Sequence, residues 1–493
     1  MSTTNSPRGT SPHATSTGAA PRDTRWLALV VVAVAQLMVA LDATIVNIAL
    51  PSVQSTLGFD NTQRTWVVTA YTCSLAGLLL LGGRIADRIG RRRAFLGGLV
   101  GFATASALAG VAPNYGMLVL GRGLQGAFAA VLTPTALSLV ATTFTDPRQR
   151  AKAFGVYGAV ASSGGAVGLL AGGVLTEYAG WRWCLFVNVV IALAAWVAGR
   201  RLLPTDGGYP EARAEALSGA LVTGGLVAVV LGCAQAAAYG WGSARVLVPG
   251  VVGLLLVALF LIRQGRVGQP LLPLWVLADR SRAGAYLAVA VSVVGSFGMF
   301  LMLTYHFQVV LGWSPVHAGL AFLPLSAAVS ASSYGLGSRL LPRVAPRVLI
   351  VLGLVPAAAG LGLLTTLTPT SGYVSLILPA EVLLGLGLGL VFTPAISLAT
   401  SGVDPRHAGV AAATANTAMQ VGGSLGTALL NTLAVAATAS YAATHAGVHE
   451  AQDALVHGYA TATVWSALAL GATAVIVAVL MRTPKPRPHQ KED

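Results

Sequence analysis

Charged side chains are scarce in this sequence, at 9% of its 493 residues. A soluble globular chain carries roughly 25%, so a water-exposed surface of this size is excluded and lipid must solvate much of the chain. Lysine occurs only at 152, 485 and 491, and none of the three follows a glycine. That excludes the G-x-x-x-x-G-K-[ST] phosphate loop and transport driven by nucleotide hydrolysis through it. Cysteine occurs only at 73, 184 and 233, in separate apolar runs. Neither metal-ligand spacing nor a disulfide framework is present, and burial as small apolar residues is expected. No nucleophile–base pair or metal cluster is apparent, so neither an enzyme nor a bound cofactor or metal is expected.

What fills the sequence instead is apolar: 55% of residues are hydrophobic and mean hydropathy is +0.74. A membrane span needs about 20 such residues. Fourteen runs qualify, near 26–50, 65–84, 94–111, 115–141, 152–176, 183–203, 216–237, 246–264, 284–310, 315–338, 347–368, 373–398, 408–437 and 459–481. The fold class expected is an all-α membrane protein of fourteen spans. Residues 1–25, rich in Ser, Thr, Pro and Gly, read as a disordered tail. The run from Trp26 is too long for a signal-peptide core, so it is expected to stay as an anchor.

The net charge of +14 follows from topology. With fourteen spans, both termini fall on one side, and 26 of the 30 basic residues fall there with them. The opposite loops hold only Arg64, Arg182 and Arg245, and Arg122 lies inside a span. This asymmetry predicts cytoplasmic termini in an inner membrane, and no nucleic-acid partner is needed to explain the charge.

A repeat runs through the chain. Thr133-Pro134, Asp146-Pro147-Arg148 and Gly164-Gly165-Ala166-Val167-Gly168 return as Thr393-Pro394, Asp404-Pro405-Arg406 and Gly422-Gly423-Ser424-Leu425-Gly426. Three matches in order predict duplicated halves: six-helix bundles over 26–203 and 284–481, linker spans over 216–264, and a tail over 482–493. Parallel repeats with a midplane site between them are a transporter architecture.

Asp42, Arg122 and Glu381 are charged residues expected deep inside spans. Asp42 and Arg122 sit about 12 and 10 Å below the arginine-poor end, at 1.5 Å per residue. A lone carboxylate there costs about 2.5–3.5 kcal/mol, so Asp42 needs a cavity or a partner. Arg122, directly or through water, is one candidate; a local structural bond to Thr44 or Asn47 is another. Arg122 could also only snorkel to the interface. Glu381 lies at similar depth in the second half and suits a proton or a substrate cation, unless it simply reaches the interface. His306 reads as a satisfied interior histidine, and His445, His449 and His457 as residues of an exposed loop at 438–458. Gly-Arg-Gly-Leu-Gln-Gly at 121–126 matches a dinucleotide fingerprint, but no strand precedes it. Segment 83–93 reads as a basic loop with Asp87 among arginines and glycines at 83 and 90. Asp87 could cap a helix of the other half.

Several motifs together carry a resemblance. Leu41 to Pro51 (LDATIVNIALP), Gly83 to Arg92 (GRIADRIGRR), Arg122 to Gly126 (RGLQG), the glycines 155, 164, 168, 172 and 173, and Trp181 to Asn188 (WRWCLFVN) are similar to motifs of the major facilitator superfamily. Within it they resemble the fourteen-helix drug:proton antiporters of the EmrB/QacA type. Leu169 replaces a proline of the antiporter motif, and Phe128 a small residue of the fourth-helix motif. The resemblance implies a proton or substrate pathway at Asp42, Asn47, Arg122, Gln125 and Glu381. It implies a cytoplasmic gate at Gly83, Asp87, Arg88, Gly90, Arg91 and Arg92, and helix packing through Gly155, Gly164, Gly168, Gly172 and Gly173.

The function this implies is proton-coupled export of amphipathic or cationic drugs, or of an endogenous antibiotic, by a monomer. An importer or facilitator of a nutrient on the same fold, and a non-transporting membrane sensor, are the alternatives.

Overall fold

The computed structural model describes residues 22–144, 146–205, 216–268, 270–341, 343–400, 408–445 and 450–481. Residues 1–21 and 482–493, Asp404-Pro405-Arg406 of the second repeat copy and His449 lie outside the described residues. All regular structure in the described residues is helical. The first half comprises α1 (Arg22–Leu57), α2 (Asn61–Ile89), α3 (Arg91–Gly110), α4 (Tyr115–Thr143), α5 (Pro147–Tyr178) and α6 (Trp183–Leu202). Two linker helices follow, α7 (Ala216–Tyr239) and α8 (Ala244–Gln264), then a short α9 (Leu274–Ala278). The second half holds α10 (Arg280–Tyr305), α11 (Pro315–Ala321), α12 (Leu323–Ser330), α13 (Ser338–Leu340), α14 (Pro346–Leu364), α15 (Leu378–Thr400), α16 (Ala408–Thr444) and α17 (Glu450–Leu480). Three π-helical turns, at His306–Val310, Ala331–Gly337 and Tyr373–Ile377, interrupt it.

Among the described residues, 11 helices are long and apolar enough to cross a membrane, or 12 if the two arms of α2, bent by 56°, form one span. The two expected spans outside that count are α5 and α7. Within α7, Leu217–Cys233 forms a shorter apolar helix among the described residues.

Helices outlast the apolar runs that announced them, because backbone hydrogen bonding does not need apolar side chains. α1 starts at Arg22 rather than Trp26, shortening the expected tail. The Trp26 ring anchors this turn, 5.0 Å from Phe144 and 5.3 Å from the Lys152 ammonium. The expected loop 83–93 is mostly helix: α2 runs to Ile89 and α3 begins at Arg91. Gly90 alone turns the chain, at φ +94°, where a side chain would be strained. Helix also covers 438–444 and 450–458 of the expected loop at 438–458.

The repeat is visible as packing. On α5, methyl groups added at Gly164 and Gly168 would stand 3.4 and 2.8 Å from the carbonyls of Leu37 and Leu41 of α1. On α16, methyl groups at Gly422 and Gly426 would stand 2.2 and 3.0 Å from the carbonyls of Ala290 and Val294 of α10. Both halves therefore bring the same helix pair together by removing side chains, the usual route to close approach where lipid provides no hydrophobic drive.

One apolar cluster lies within the first half, a second lies mostly in the second half but takes in Ile48 and Leu169, and a third joins residues of both, from Ile45 and Leu50 to Met302 and Leu430. Linker helix α7 packs against both α2 and α16. Thr223 fills the space at Gly77 of α2, and Thr432 of α16 donates to the Cys233 carbonyl at 2.8 Å. The linker thus closes one seam between the halves.

Candidate functional site

Asp42, on α1, is fully buried and meets three donors. Arg122 Nη1 donates to Oδ2 at 2.6 Å, and Gln125 Nε2 and Asn188 Nδ2 donate to Oδ1 at 3.1 and 2.6 Å. Four helices supply the network, because Ser106 of α3 accepts from Gln125 at 2.7 Å.

Arg122 is held equally tightly. Its Nε donates to the Val67 carbonyl at 3.1 Å, and Nη1 also reaches Gln125 Oε1 at 2.9 Å. The guanidinium carbon lies 4.5 Å over the Tyr71 ring, a favourable cation–π placement. Arg122 and Gln125 stand three apart on α4, so both face α1. Glycine permits the approach: a methyl group at Gly126 would stand 2.2 Å from the Tyr71 carbonyl. A buried ion pair repays its desolvation only when further hydrogen bonds support it, and here both Asp42 oxygens and the Nε and Nη1 of Arg122 are bonded.

Sequence reasoning named Asp42, Arg122 and Gln125, and the structure brings them together. It missed Asn188, Ser106 and Tyr71. Asn188 was legible only as the end of the Trp181–Asn188 motif. Asn47 stands apart, donating to the Ala43 carbonyl at 3.4 Å, and the Thr44 hydroxyl bonds backbone carbonyls, closest Leu41 at 3.1 Å. Neither partners Asp42, so the local-bond alternative fails. Glu381 is fully buried on α15, outside this network; neither carboxylate oxygen meets a donor at full hydrogen-bond geometry among the described residues, and Tyr373 is the side chain set against it. His306 is likewise buried, and neither ring nitrogen has a hydrogen-bond partner among the described residues, which differs from the satisfied interior histidine expected.

At the arginine-rich end, Asp87 pairs with Arg91 at 4.0 Å, one turn along its own half; among the described residues no bond from Asp87 caps a helix of the other half. Arg84 donates to the Pro270 carbonyl at 2.9 Å, tying α2 to the segment after the linker helices. Arg92 donates to the Arg200 carbonyl, Gly83 lies against Pro134, and Arg88 is exposed at the end of α2. Gly172 packs on Ile45, and Gly173 on Pro315 and Val316 of the other half. Gly155 lies outside the residues whose side chains are described. Leu169 is buried, and its carbonyl fills the space at Gly319. The departure from the motif proline therefore sits on the interface between the halves.

Hydrogen bonds join the halves toward the arginine-poor end. Arg64, 2% exposed, donates through Nε and Nη2 to Asn431 Oδ1 at 3.0 and 2.7 Å and lies 4.2 Å over the Tyr305 ring. Asn431 donates back to the Asn61 carbonyl at 3.1 Å. Tyr305 donates to Gln54 at 2.5 Å, and Gln308 to the Ile48 carbonyl at 2.9 Å. Val316 N–H donates to Glu177 at 3.1 Å. The Ser314 hydroxyl and this amide hold the Glu177 carboxyl below its ordinary range.

Comparison with known proteins fits this geometry. The chain is 51% identical over 465 residues to the puromycin resistance protein pur8 of Streptomyces alboniger, covering 94% of this chain and 92% of that protein. It is 35% identical over 409 residues to the multidrug efflux pump LfrA of Mycolicibacterium smegmatis, covering 83% and 80%. A crystal structure of a bacterial homolog of the human lysosomal transporter Spinster, inward-facing and occupied, superposes with a TM-score of 0.69 at 16% identity, covering 94% of this chain and 98% of that one. Residues 32–427 match the profile of the Major Facilitator Superfamily. With a family profile over most of the chain and relatives alike along most of both chains, this multi-pass membrane protein belongs to the Major Facilitator Superfamily, whose members are transporters and not enzymes.

Proposed function

We propose that the protein exports antibiotics or other amphipathic drugs from the cytoplasm in exchange for protons. The observation that carries the reading is the buried Asp42–Arg122 pair, with Gln125 and Asn188 completing it. A carboxylate that must lose this pairing to accept a proton couples protonation to helix movement. Relatives named for puromycin resistance and multidrug efflux support the substrate class.

In this proposal α2, α5 and α7 complete fourteen spans. The arginine-rich end, including both ends of the sequence, is cytoplasmic in the bacterial inner membrane. The bonds around Arg64, Gln54, Gln308 and Glu177 seal the opposite side. The Asp87 segment re-forms the inner gate when those bonds part, and Asn47 and Glu381 line the substrate path. The transporter works as a monomer. Uptake of labelled puromycin into inverted vesicles tests the reading: energised vesicles accumulate it, and a proton uncoupler stops accumulation. Uptake unaffected by the uncoupler excludes proton coupling, and inward flux in whole cells excludes export.

A further inference from the structure

Two buried arginines of the first half have different partners. Arg122 meets a carboxylate, Asp42. Arg64, 2% exposed, meets an amide: Asn431 Oδ1 accepts from both its Nε and its Nη2. Among the described residues no carboxylate pairs with Arg64. Asp60, four residues earlier, is exposed and caps α2, accepting from the Gln63 amide at 2.7 Å.

The other neighbours of Arg64 are neutral. Its guanidinium carbon lies 4.2 Å over the Tyr305 ring, and Tyr459 of α17, also buried, is set against the same group. Both tyrosines belong to the apolar cluster that joins the halves, with Leu430 and Ala434. A full positive charge therefore stands in an apolar seam, where little water screens it. If clamping the halves were its whole task, a carboxylate at position 431 would add Coulomb attraction to the same two bonds. The amide makes the bonds and leaves the charge uncancelled.

We propose that Arg64 is an electrostatic barrier at the arginine-poor end: its uncancelled charge repels hydronium and alkali cations that would otherwise seep between the halves down their gradients. A fixed positive charge in a narrow pore excludes protons and cations in this way. The bonds close the seam mechanically, whereas the charge decides which ions the closure stops. The barrier goes beyond drug export, since it concerns passive leak, and it rests on the reading that these bonds seal that end.

Passive proton entry into liposomes holding the full-length protein tests the barrier. A trapped pH dye reads entry under an imposed pH gradient, with potassium and valinomycin clamping the voltage. The decisive variant is Asn431→Asp, which keeps both bonds and cancels the charge. It raises proton entry about tenfold or more, while an impermeant maleimide still labels Gln54→Cys slowly in the same background. Asn431→Ala, which loses the bonds and keeps the charge, leaks less than Asn431→Asp. Arg64→Lys, which also keeps the charge, leaks less than Arg64→Gln. Proton entry unchanged by Asn431→Asp, matched by Asn431→Ala, or equal in Arg64→Lys and Arg64→Gln overturns the barrier. Rapid labelling of Gln54→Cys in the otherwise original protein removes the seal reading and the barrier with it. Slow labelling with no added leak in Asn431→Asp overturns the barrier alone.

Discussion

The Arg122 guanidinium reaches the Asp42 carboxylate at 2.6 Å, and neither side chain is more than 1% exposed. Eighty residues of sequence separate them, yet each is the other's main electrostatic partner.

Asp42→Asn leaves Arg122 buried without its counter-charge. Breaking a buried pair this way costs about 3–5 kcal/mol, so the melting temperature in detergent drops sharply. Asp42→Asn with Arg122→Gln recovers much of that loss, because the stranded charge is gone. Neither variant drives export with a proton gradient. Proton-driven export by Asp42→Asn at the original rate would remove this carboxylate from the mechanism.

Asn188 is the donor that sequence motifs did not single out. Asn188→Ala removes one of two bonds to Asp42 Oδ1 and costs about 1–3 kcal/mol. Asn188→Asp places a second carboxylate against Asp42 and weakens stability further as pH rises. Thermal unfolding at several pH values checks both; equal stability of the three proteins at all pH values argues against the bond.

Gly82 and Gly422 meet backbone, which cannot move aside as a side chain can. A methyl group at either would stand 2.1 Å from the Ala130 carbonyl or 2.2 Å from the Ala290 carbonyl. Each alanine variant loses about 1–3 kcal/mol through overpacking, read as a lower melting temperature. Gly97, which meets nothing within 4 Å, accepts alanine without loss and serves as the control.

Arg64 is a buried cation held by an amide and an aromatic ring, with no carboxylate pairing with it among the described residues. Arg64→Gln loosens the arginine-poor end. Labelling of Gln54→Cys by an impermeant maleimide, applied from that side, then rises several-fold. Labelling unchanged by Arg64→Gln would mean that other contacts hold that end shut.

Glu177 gives this closure a pH dependence of known sign. Its carboxyl is held low by the Ser314 hydroxyl and the Val316 amide only while the halves meet. The ionised carboxylate therefore favours closure above its ordinary titration range, and the benefit fades as pH falls through the lowered value. The same maleimide assay should show acid-induced opening in the original protein only below the ordinary carboxylate range. Glu177→Gln abolishes that acid response; an acid response kept by Glu177→Gln assigns it to another group.

The sequence by itself determined the membrane as solvent, the repeat, the sidedness of charge and the buried acid and base, because hydropathy, spacing and charge counts are local properties of a chain. It also set the close packing of α5 on α1 and α16 on α10, since a glycine stripe leaves no side chain to hold helices apart. Only the tertiary structure decided the partners. Asn188 and Arg122 converge on Asp42 from different helices, while Glu381 is set against Tyr373 outside that network; such facts depend on how helices rotate against one another. The π-helical turns and the helical path through 83–89 were illegible for a related reason: composition marks where a chain is apolar, whereas hydrogen-bond register decides where a helix bends or ends.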